Sequence, residues 1–274
     1  MSTWTARPAE PSDYEAFTRL LPELRTPDPT PSPERWRDDL CRRAVILETD
    51  GAPVGYGLWA ILREAAHVIH VVIGPEARGR GAGRALMQAI ATQIQAAGAE
   101  RWYLYVKTDN TPAIGLYERF GFTRHHDATA LAFPWSGLAN LPRAPETVLA
   151  RPAKPEEDAA LESAFELPSG GLAQYGRGPG QVVYRLIAPE RPDDMRIGVA
   201  TFDPAFPGGR YLAVARPALA TALLEALQPL ARPGDAIANL MIEGDPELVA
   251  ILIAAGARVH FELVQMTGRI PRGA

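Results

Sequence analysis

The sequence predicts a mixed α and β protein built as two similar halves. Three observations carry that expectation. Apolar runs rich in β-branched residues alternate with stretches whose apolar residues fall at helical spacing, the pattern of sheets covered by helices. Ala6-Arg7-Pro8-Ala9-Glu10-Pro11 recurs as Ala150-Arg151-Pro152-Ala153-Lys154-Pro155, each time followed by acidic residues and a helical pattern. Leu104-Tyr105-Val106-Lys107-Thr108-Asp109 is echoed by Leu240-Met241-Ile242-Glu243-Gly244-Asp245, and each copy leads through a helix to a glycine turn, Gly121-Phe122 and Gly256-Ala257. Two anchors in the same order indicate an internal duplication. Pro134–Pro145 has little periodicity and several prolines. It places a linker at residues 137–147, between a first domain at 1–136 and a second at 148–274.

In the first half, Trp4–Ala6 opens a short strand. Pro11-Ser12-Asp13 starts a helix running through Phe17, Leu20, Leu21 and Leu24. After a proline-rich loop, Ser32-Pro33-Glu34 starts a second helix around Trp36 and Leu40. Ala44–Glu48 and Val54–Leu62 read as strands joined by a turn at Asp50-Gly51. Val68–Ile73 has the composition of a buried strand, and Gly74-Pro75-Glu76 breaks it. The next helix has Leu86, Ile90, Ile94 and Ala97 on one face. Trp102–Val106 is a strand, Pro112–Phe120 a helix and Ala128–Phe133 a closing strand.

The second half repeats this plan. Ala159–Leu167 is helical, and Gly170–Gly180 reads as a flexible glycine-rich loop. Val182–Ala188 and Ile197–Phe202 are strands, with Arg191-Pro192-Asp193-Asp194 turning between them. Arg210–Ala215 is the counterpart of the first half's central strand. Leu219, Leu223, Ala226, Leu227 and Leu230 mark a helix face, and Ala236–Ile242, a helix at Glu247–Ala255 and Arg258–Gly268 complete the half.

Chemistry concentrates in Arg78-Gly79-Arg80-Gly81-Ala82-Gly83-Arg84, between the central strand and its helix. Glycines let a backbone turn tightly and approach a ligand without Cβ obstruction. The first N–H groups of the helix have no partner within it and carry partial positive charge. Strand, glycine loop and helix in that order make an anion cradle, and arginine suits phosphate geometry. The site therefore reads as a pyrophosphate cradle. A P-loop would need Gly-Lys-Ser/Thr where Gly83-Arg84-Ala85 stands. A dinucleotide fold would need a glycine at Arg84 and an acidic residue ending the next strand, whereas Glu100 precedes that strand.

Composition narrows the remaining classes. The chain has 274 residues, 47% hydrophobic and 22% charged, an ordinary globular balance. The net charge of −4 gives no general attraction for nucleic acid. A single cysteine, Cys41, leaves no disulfide framework or cysteine-rich zinc site. His125-His126 lacks partners at ligand spacing and reads as exposed turn residues, so no metal is expected. No apolar run approaches the roughly 20 residues of a membrane span. MSTWTARPAE lacks a basic-then-apolar signal pattern, so the expected location is cytoplasmic.

Arg78-x-x-Gly81-x-Gly83, within VVIGPEARGRGAGRALM, resembles the Q/R-x-x-G-x-G/A signature of the GNAT superfamily of N-acyltransferases. Asn110-Thr111-Pro112-Ala113, Tyr117 and Gly121-Phe122 resemble that family's second hallmark, a helix and turn. The resemblance implies an α+β fold of two tandem GNAT-like domains, each a mixed, mostly antiparallel sheet flanked by helices. It implies acetyl-CoA, or another acyl-CoA, as co-substrate. Arg78, Gly79, Arg80, Gly81, Ala82, Gly83 and Arg84 would hold its pyrophosphate, and Val71, Val72 and Ile73 would pair with its pantetheine arm in a gap between two strands. A primary amine would attack directly, much of the rate coming from holding the reactants together.

By the same resemblance Tyr117 is the acid for the leaving thiolate and also borders the cofactor. Asn110 binds pantetheine or caps its helix. For the base, His67 and His70 stand three apart on one strand, which puts them on opposite faces. His67 shares parity with Val71 and Ile73 and is the candidate. The second half has Ala215-Arg216-Pro217-Ala218-Leu219-Ala220-Thr221 where the cradle would be, and Leu252 in place of Tyr117. It is expected to be a degenerate copy that keeps a structural or substrate-shaping role. The acceptor is expected to be a small-molecule amine, with a protein amine and a non-catalytic acyl-CoA-binding module as alternatives. Its specificity would lie around Arg25–Arg37, and tandem domains favour a monomer over a homodimer.

Overall fold

The computed structural model describes residues 4–26 and 29–271. The first half contributes β1 (Thr5–Pro8), α1 (Tyr14–Leu20), α2 (Pro33–Asp38), β2 (Ala44–Thr49), β3 (Ala52–Ile61), β4 (Ala66–Ile73), α3 (Ala82–Ala96), β5 (Arg101–Lys107), α4 (Thr111–Arg119) and β6 (Thr123–Pro134). The second contributes β7 (Leu149–Pro152), α5 (Asp158–Ala164), α6 (Gly171–Gly176), β8 (Val182–Ile187), β9 (Gly198–Phe202), β10 (Gly208–Gly209), β11 (Leu212–Val214), α7 (Ala220–Leu227), β12 (Ile237–Glu243), α8 (Pro246–Ala254) and β13 (Arg258–Arg269).

The chain divides into two compact units. The first holds the described residues up to His125 together with residues 266–271, and the second holds His126–Gln265. The first unit's sheet runs β1-β2-β3-β4-β5, antiparallel except for β4 with β5, and the last residues of β13 lie beside β5. On one face Phe17 stacks on Trp36 at 4.6 Å and meets Tyr56 edge-on at 5.1 Å. On the other, α3 buries Leu86, Met87, Ile90, Ala91 and Ile94. A side chain at Gly57 would run into Ile90, so this glycine lets the helix sit close to β3. Each large apolar residue buried there is worth about 1.5–3 kcal/mol.

The second unit has an antiparallel sheet ordered β11-β9-β8-β7, and β12 pairs with β6 on one side and β10 on the other. Its core includes Phe133, Phe202, Leu223, Leu224, Ile242 and Leu252.

The duplication extends to individual hydrogen bonds. Arg7 grips Asp13 through both oxygens at 2.7 Å, and Arg151 grips Glu157 at 2.6 and 2.9 Å. In each copy that carboxylate also accepts a backbone N–H three residues back, from Glu10 or Lys154. Asn110 caps α4 through the Ala113 N–H, and Asp245 caps α8 through that of Leu248. Gly121 and Gly256 both adopt the left-handed backbone that ends these helices, with φ of 81° and 105°.

Several expected elements differ. β6 begins at Thr123 rather than Ala128, so His125 and His126 are strand residues instead of turn residues. His126 Nε2 lies 2.9 Å from the Glu243 carboxylate on β12, a cross-strand pair that a polar sequence did not disclose. The Gly170–Gly180 loop contains α6, because the buried Glu162 carboxylate accepts the N–H groups of Gly170 and Leu172, both at 2.9 Å, and caps that helix. Arg177 then ties the rest of the loop to Asp158 at 2.6 Å. The strand expected at Arg210–Ala215 is shorter, β11 alone pairing with β9, and the two residues of β10 just before it pair with β12 instead. Among the described residues no helix is long and apolar enough to cross a membrane, and no cluster of three His, Cys, Asp or Glu side chains could hold a metal ion.

Candidate active site

β4 and β5 are paired only at Ala66 with Trp102 and His67 with Tyr103 among the described residues. Beyond that rung the two parallel strands part. Val71, Val72 and Ile73 remain paired with β3, opposite Gly57, Tyr56 and Gly55. The other edge of β4 therefore faces the gap, and an open strand edge is a row of hydrogen-bonding groups suited to an extended ligand.

The glycine loop leads from the end of β4 to the start of α3. Gly79 and Gly81 have φ of 70° and 89°, a conformation that favours glycine. Gly81 is the N-cap of α3, and its carbonyl accepts the Ala85 N–H at 3.1 Å. The N–H groups of Ala82, Gly83 and Arg84 are thus in the helix's first turn. A Cβ at Gly79 would meet nothing within 4 Å, and one at Gly83 would press on Leu116 of α4 at 3.1 Å. The loop is open to an anion, and α4 abuts its helical end. Arg84 is exposed.

Arg78 is tied inward. Its Nε donates to the Ile73 carbonyl at 2.9 Å, and its other arm reaches Glu23 at 2.6 Å. It clasps the loop to the end of β4. Arg80 lies over the Trp4 ring at 5.9 Å, and Trp4 Nε1 donates to its carbonyl at 3.3 Å. No motif in the sequence pointed to Trp4 or Glu23, because both come from distant segments.

Tyr117 is 7% exposed on α4, 5.9 Å from the Phe122 ring. Burial pushes its phenol above the ordinary tyrosine value, so it keeps its proton at any working pH.

Residues 13–122 match the acetyltransferase (GNAT) family. The first unit thus carries the sequence pattern of that family. The chain is 46% identical over 63 residues to a mycothiol acetyltransferase of Geodermatophilus obscurus, covering 23% of this chain and 20% of that protein. It is 35% identical over 78 residues to a putative ribosomal protein bS18-alanine N-acetyltransferase of Bacillus subtilis, covering 28% and 51%. The matches thus span a fifth to about half of these relatives' lengths. Two solved structures share the whole fold. A GCN5-related N-acetyltransferase from Sphaerobacter thermophilus has a TM-score of 0.67 at 21% identity, with 99% of this chain and 97% of that chain covered. A tandem GNAT protein from the clavulanic acid biosynthesis pathway has a TM-score of 0.63 at 17% identity, with 99% and 100% covered. The fold is accordingly the α+β tandem GNAT arrangement.

At this gap the histidines are not where strand parity put them. Val68 pairs with Trp59 and His70 with Leu58, which leaves Ile69 as one residue too many on β4. Such a bulge reverses the alternation of side chains. His67, opposite Ala60, and His70, opposite Leu58, therefore share a face with Val72. Val71 and Ile73 point to the α3 face, so the expected parity of His67 with them fails. His67 is 7% exposed at the last rung before the strands part. It stacks on Tyr103 at 4.5 Å and meets Tyr105 edge-on at 5.8 Å. His70 Nδ1 lies 3.1 Å from the hydroxyl of Tyr56, a residue that the sequence reading passed over. Burial, helped by nearby Arg43, lowers the His70 pKa to about 4.

The second GNAT-like unit is built differently at the matching place. β10 and β12 are parallel for one short ladder, as β4 and β5 are. The segment after β11 is a tight helical turn beginning Pro217, without glycine. Leu252, at the position of Tyr117, is fully buried in the core.

Proposed function

We propose that the protein is an acetyl-CoA-dependent N-acetyltransferase whose acceptor is a primary amine of a small molecule. The observation that carries this is the parting of β4 and β5 after His67 and Tyr103, beside the glycine-turned start of α3. The cradle of Arg78–Arg84 takes the pyrophosphate through the first-turn N–H groups of α3, with Arg84 adding charge. Backbone groups of Val71, Val72 and Ile73 hold the pantetheine arm in the gap, and an N–H there stabilises the developing oxyanion. Asn110 keeps α4, and with it Tyr117, in register with the cradle.

The amine nitrogen attacks the thioester carbonyl carbon, and the tetrahedral intermediate collapses by breaking the C–S bond. Tyr117 gives its proton to the departing thiolate, and His67 takes the proton released from nitrogen. Amide and thiol leave, and both side chains exchange protons with solvent. The second unit contributes structure and acceptor shape without a cofactor site, so one acetyl-CoA binds per chain. We favour a monomer and a cytoplasmic setting, consistent with a single, buried, free cysteine.

Calorimetry with acetyl-CoA tests the cofactor half of this reading, and free-thiol release across a panel of small amines tests the acceptor half. One site per chain and turnover on a small amine are expected. Turnover restricted to a peptide N-terminus would move the protein toward the activity named for the Bacillus relative. Binding without turnover on any amine would leave an acyl-CoA-binding module.

A further inference from the structure

Tyr56 is fully buried on β3, and among the described residues its hydroxyl has one hydrogen-bond partner, His70 Nδ1 at 3.1 Å. A hydroxyl has one hydrogen to give, and a neutral imidazole has one N–H. If His70 gave its Nδ1–H to Tyr56, the buried phenolic hydrogen would be left without an acceptor, at a cost of about 1–3 kcal/mol. If Tyr56 donates instead, both the phenolic hydrogen and Nδ1 are satisfied. Nδ1 is then bare, and the imidazole hydrogen sits on Nε2.

The charged form is disfavoured on the same geometry. Imidazolium carries hydrogen on both nitrogens and would set an N–H against the Tyr56 O–H. Arg43, itself paired with Asp39 at 2.8 Å, adds a cation on this side. His67 is the other titratable group on this face of β4, and Tyr103 and Tyr105 lie against it. The bulge at Ile69 places His70 on the face away from α3, the face covered by α1 and α2 near the Arg25–Arg37 segment.

We propose that Tyr56 locks His70 in its Nε2–H tautomer, and that His70 serves as a neutral hydrogen-bond donor selecting acceptors with a hydroxyl or carbonyl oxygen beside the amine. His70 is then a specificity residue, Tyr56 is its positioning residue, and the base is another group. The selection rests on the acetyltransferase reading, whereas the tautomer does not.

Long-range proton–nitrogen spectra of the imidazoles in the labelled full chain test the lock directly, with His70→Gln assigning the signal. The expected result is a bare Nδ1 and a protonated Nε2 throughout pH 5–8. In Tyr56→Phe the two tautomers mix and the titration midpoint rises. An Nδ1–H tautomer, or an imidazolium at pH 7, overturns the proposal. The second arm compares acetyl transfer to a 2-amino alcohol and to its deoxy counterpart. His70→Leu should shrink the kcat/KM preference for the alcohol about 5- to 10-fold, the worth of one neutral hydrogen bond. His70→Gln, which retains an N–H, should lose less, and both losses should fall on KM. A preference unchanged in His70→Leu, or an acid limb of the pH profile abolished by it, refutes the donor role. If acetyl-CoA supports no transfer at all, the selection falls with the acetyltransferase reading, and the spectrum still judges the lock.

Discussion

Replacing Gly81 by alanine separates the cost of backbone strain from the loss of a binding site. At φ of 89° an alanine is strained, and its Cβ would come no nearer than 3.9 Å to Trp4 Nε1, so no clash adds to the strain. Left-handed backbone costs an L-residue about 1–2 kcal/mol. That corresponds to a melting shift of roughly 2–8 °C at this chain's size. Gly51, in the turn between β2 and β3, has φ of 76° and also nothing within 4 Å of an added Cβ. Gly51→Ala should therefore destabilise by a similar amount. Only Gly81→Ala relieves its strain by turning the first N–H groups of α3 away from the ligand. Loss of one charge-assisted hydrogen bond, about 1.5–3 kcal/mol, weakens acetyl-CoA binding about 10- to 150-fold. Calorimetry on both variants, with melting curves alongside, decides the matter. If Gly81→Ala melts lower yet binds acetyl-CoA within twofold of wild type, the loop is a turn and no cradle.

Other perturbations address other parts of the chain. Tyr117→Phe removes a proton donor and keeps the ring, so kcat should fall about 100-fold or more while calorimetry shows a far smaller change in acetyl-CoA affinity. Arg78→Ala releases the Ile73 carbonyl and Glu23 together and should weaken acetyl-CoA binding more than Glu23→Gln. The latter breaks only the half-exposed ion pair and should cost about 1 kcal/mol or less. Glu157, held down mainly by its hydrogen bonds from Arg151, titrates at about 2 rather than its usual 4.5. A depressed carboxylate contributes stability that is complete above pH 4.5 and is lost as pH falls towards 2. Urea midpoints measured from pH 5 down to pH 2 should fall less steeply for Glu157→Gln than for wild type, and parallel slopes would count against the clamp.

What the sequence disclosed and what it hid follow from range. The glycine turn before α3 and the Asn110-capped helix were legible because each is a local word: glycines at turning positions, a cap beside the helix it caps. The duplicated Arg-Pro anchors were legible as repeated strings, although their job, an arginine clamping a carboxylate six residues on, appeared only in three dimensions. The bulge at Ile69 was invisible because one extra residue in an unbroken apolar run leaves the composition of a strand intact while reversing its faces. The short glycine-bounded helix α6 was hidden for a different reason: its stability comes from Glu162, an acceptor outside the segment.

β13 starts in the second unit and ends in the first. Its last residues are fastened there by the Ile270 N–H to the Glu100 carbonyl at 2.9 Å and by Gln95 to the Pro271 carbonyl at 2.7 Å. Thr123 also reaches the Thr267 carbonyl at 3.4 Å. A ribosome delivers these residues long after it has delivered the cradle, α4 and Tyr117. The edge of β5 consequently waits bare while more than a hundred further residues are made, exposed to any strand that would pair with it. The order of the two halves in the chain is not their order of completion: the first unit, which holds the glycine loop, is the last to be closed.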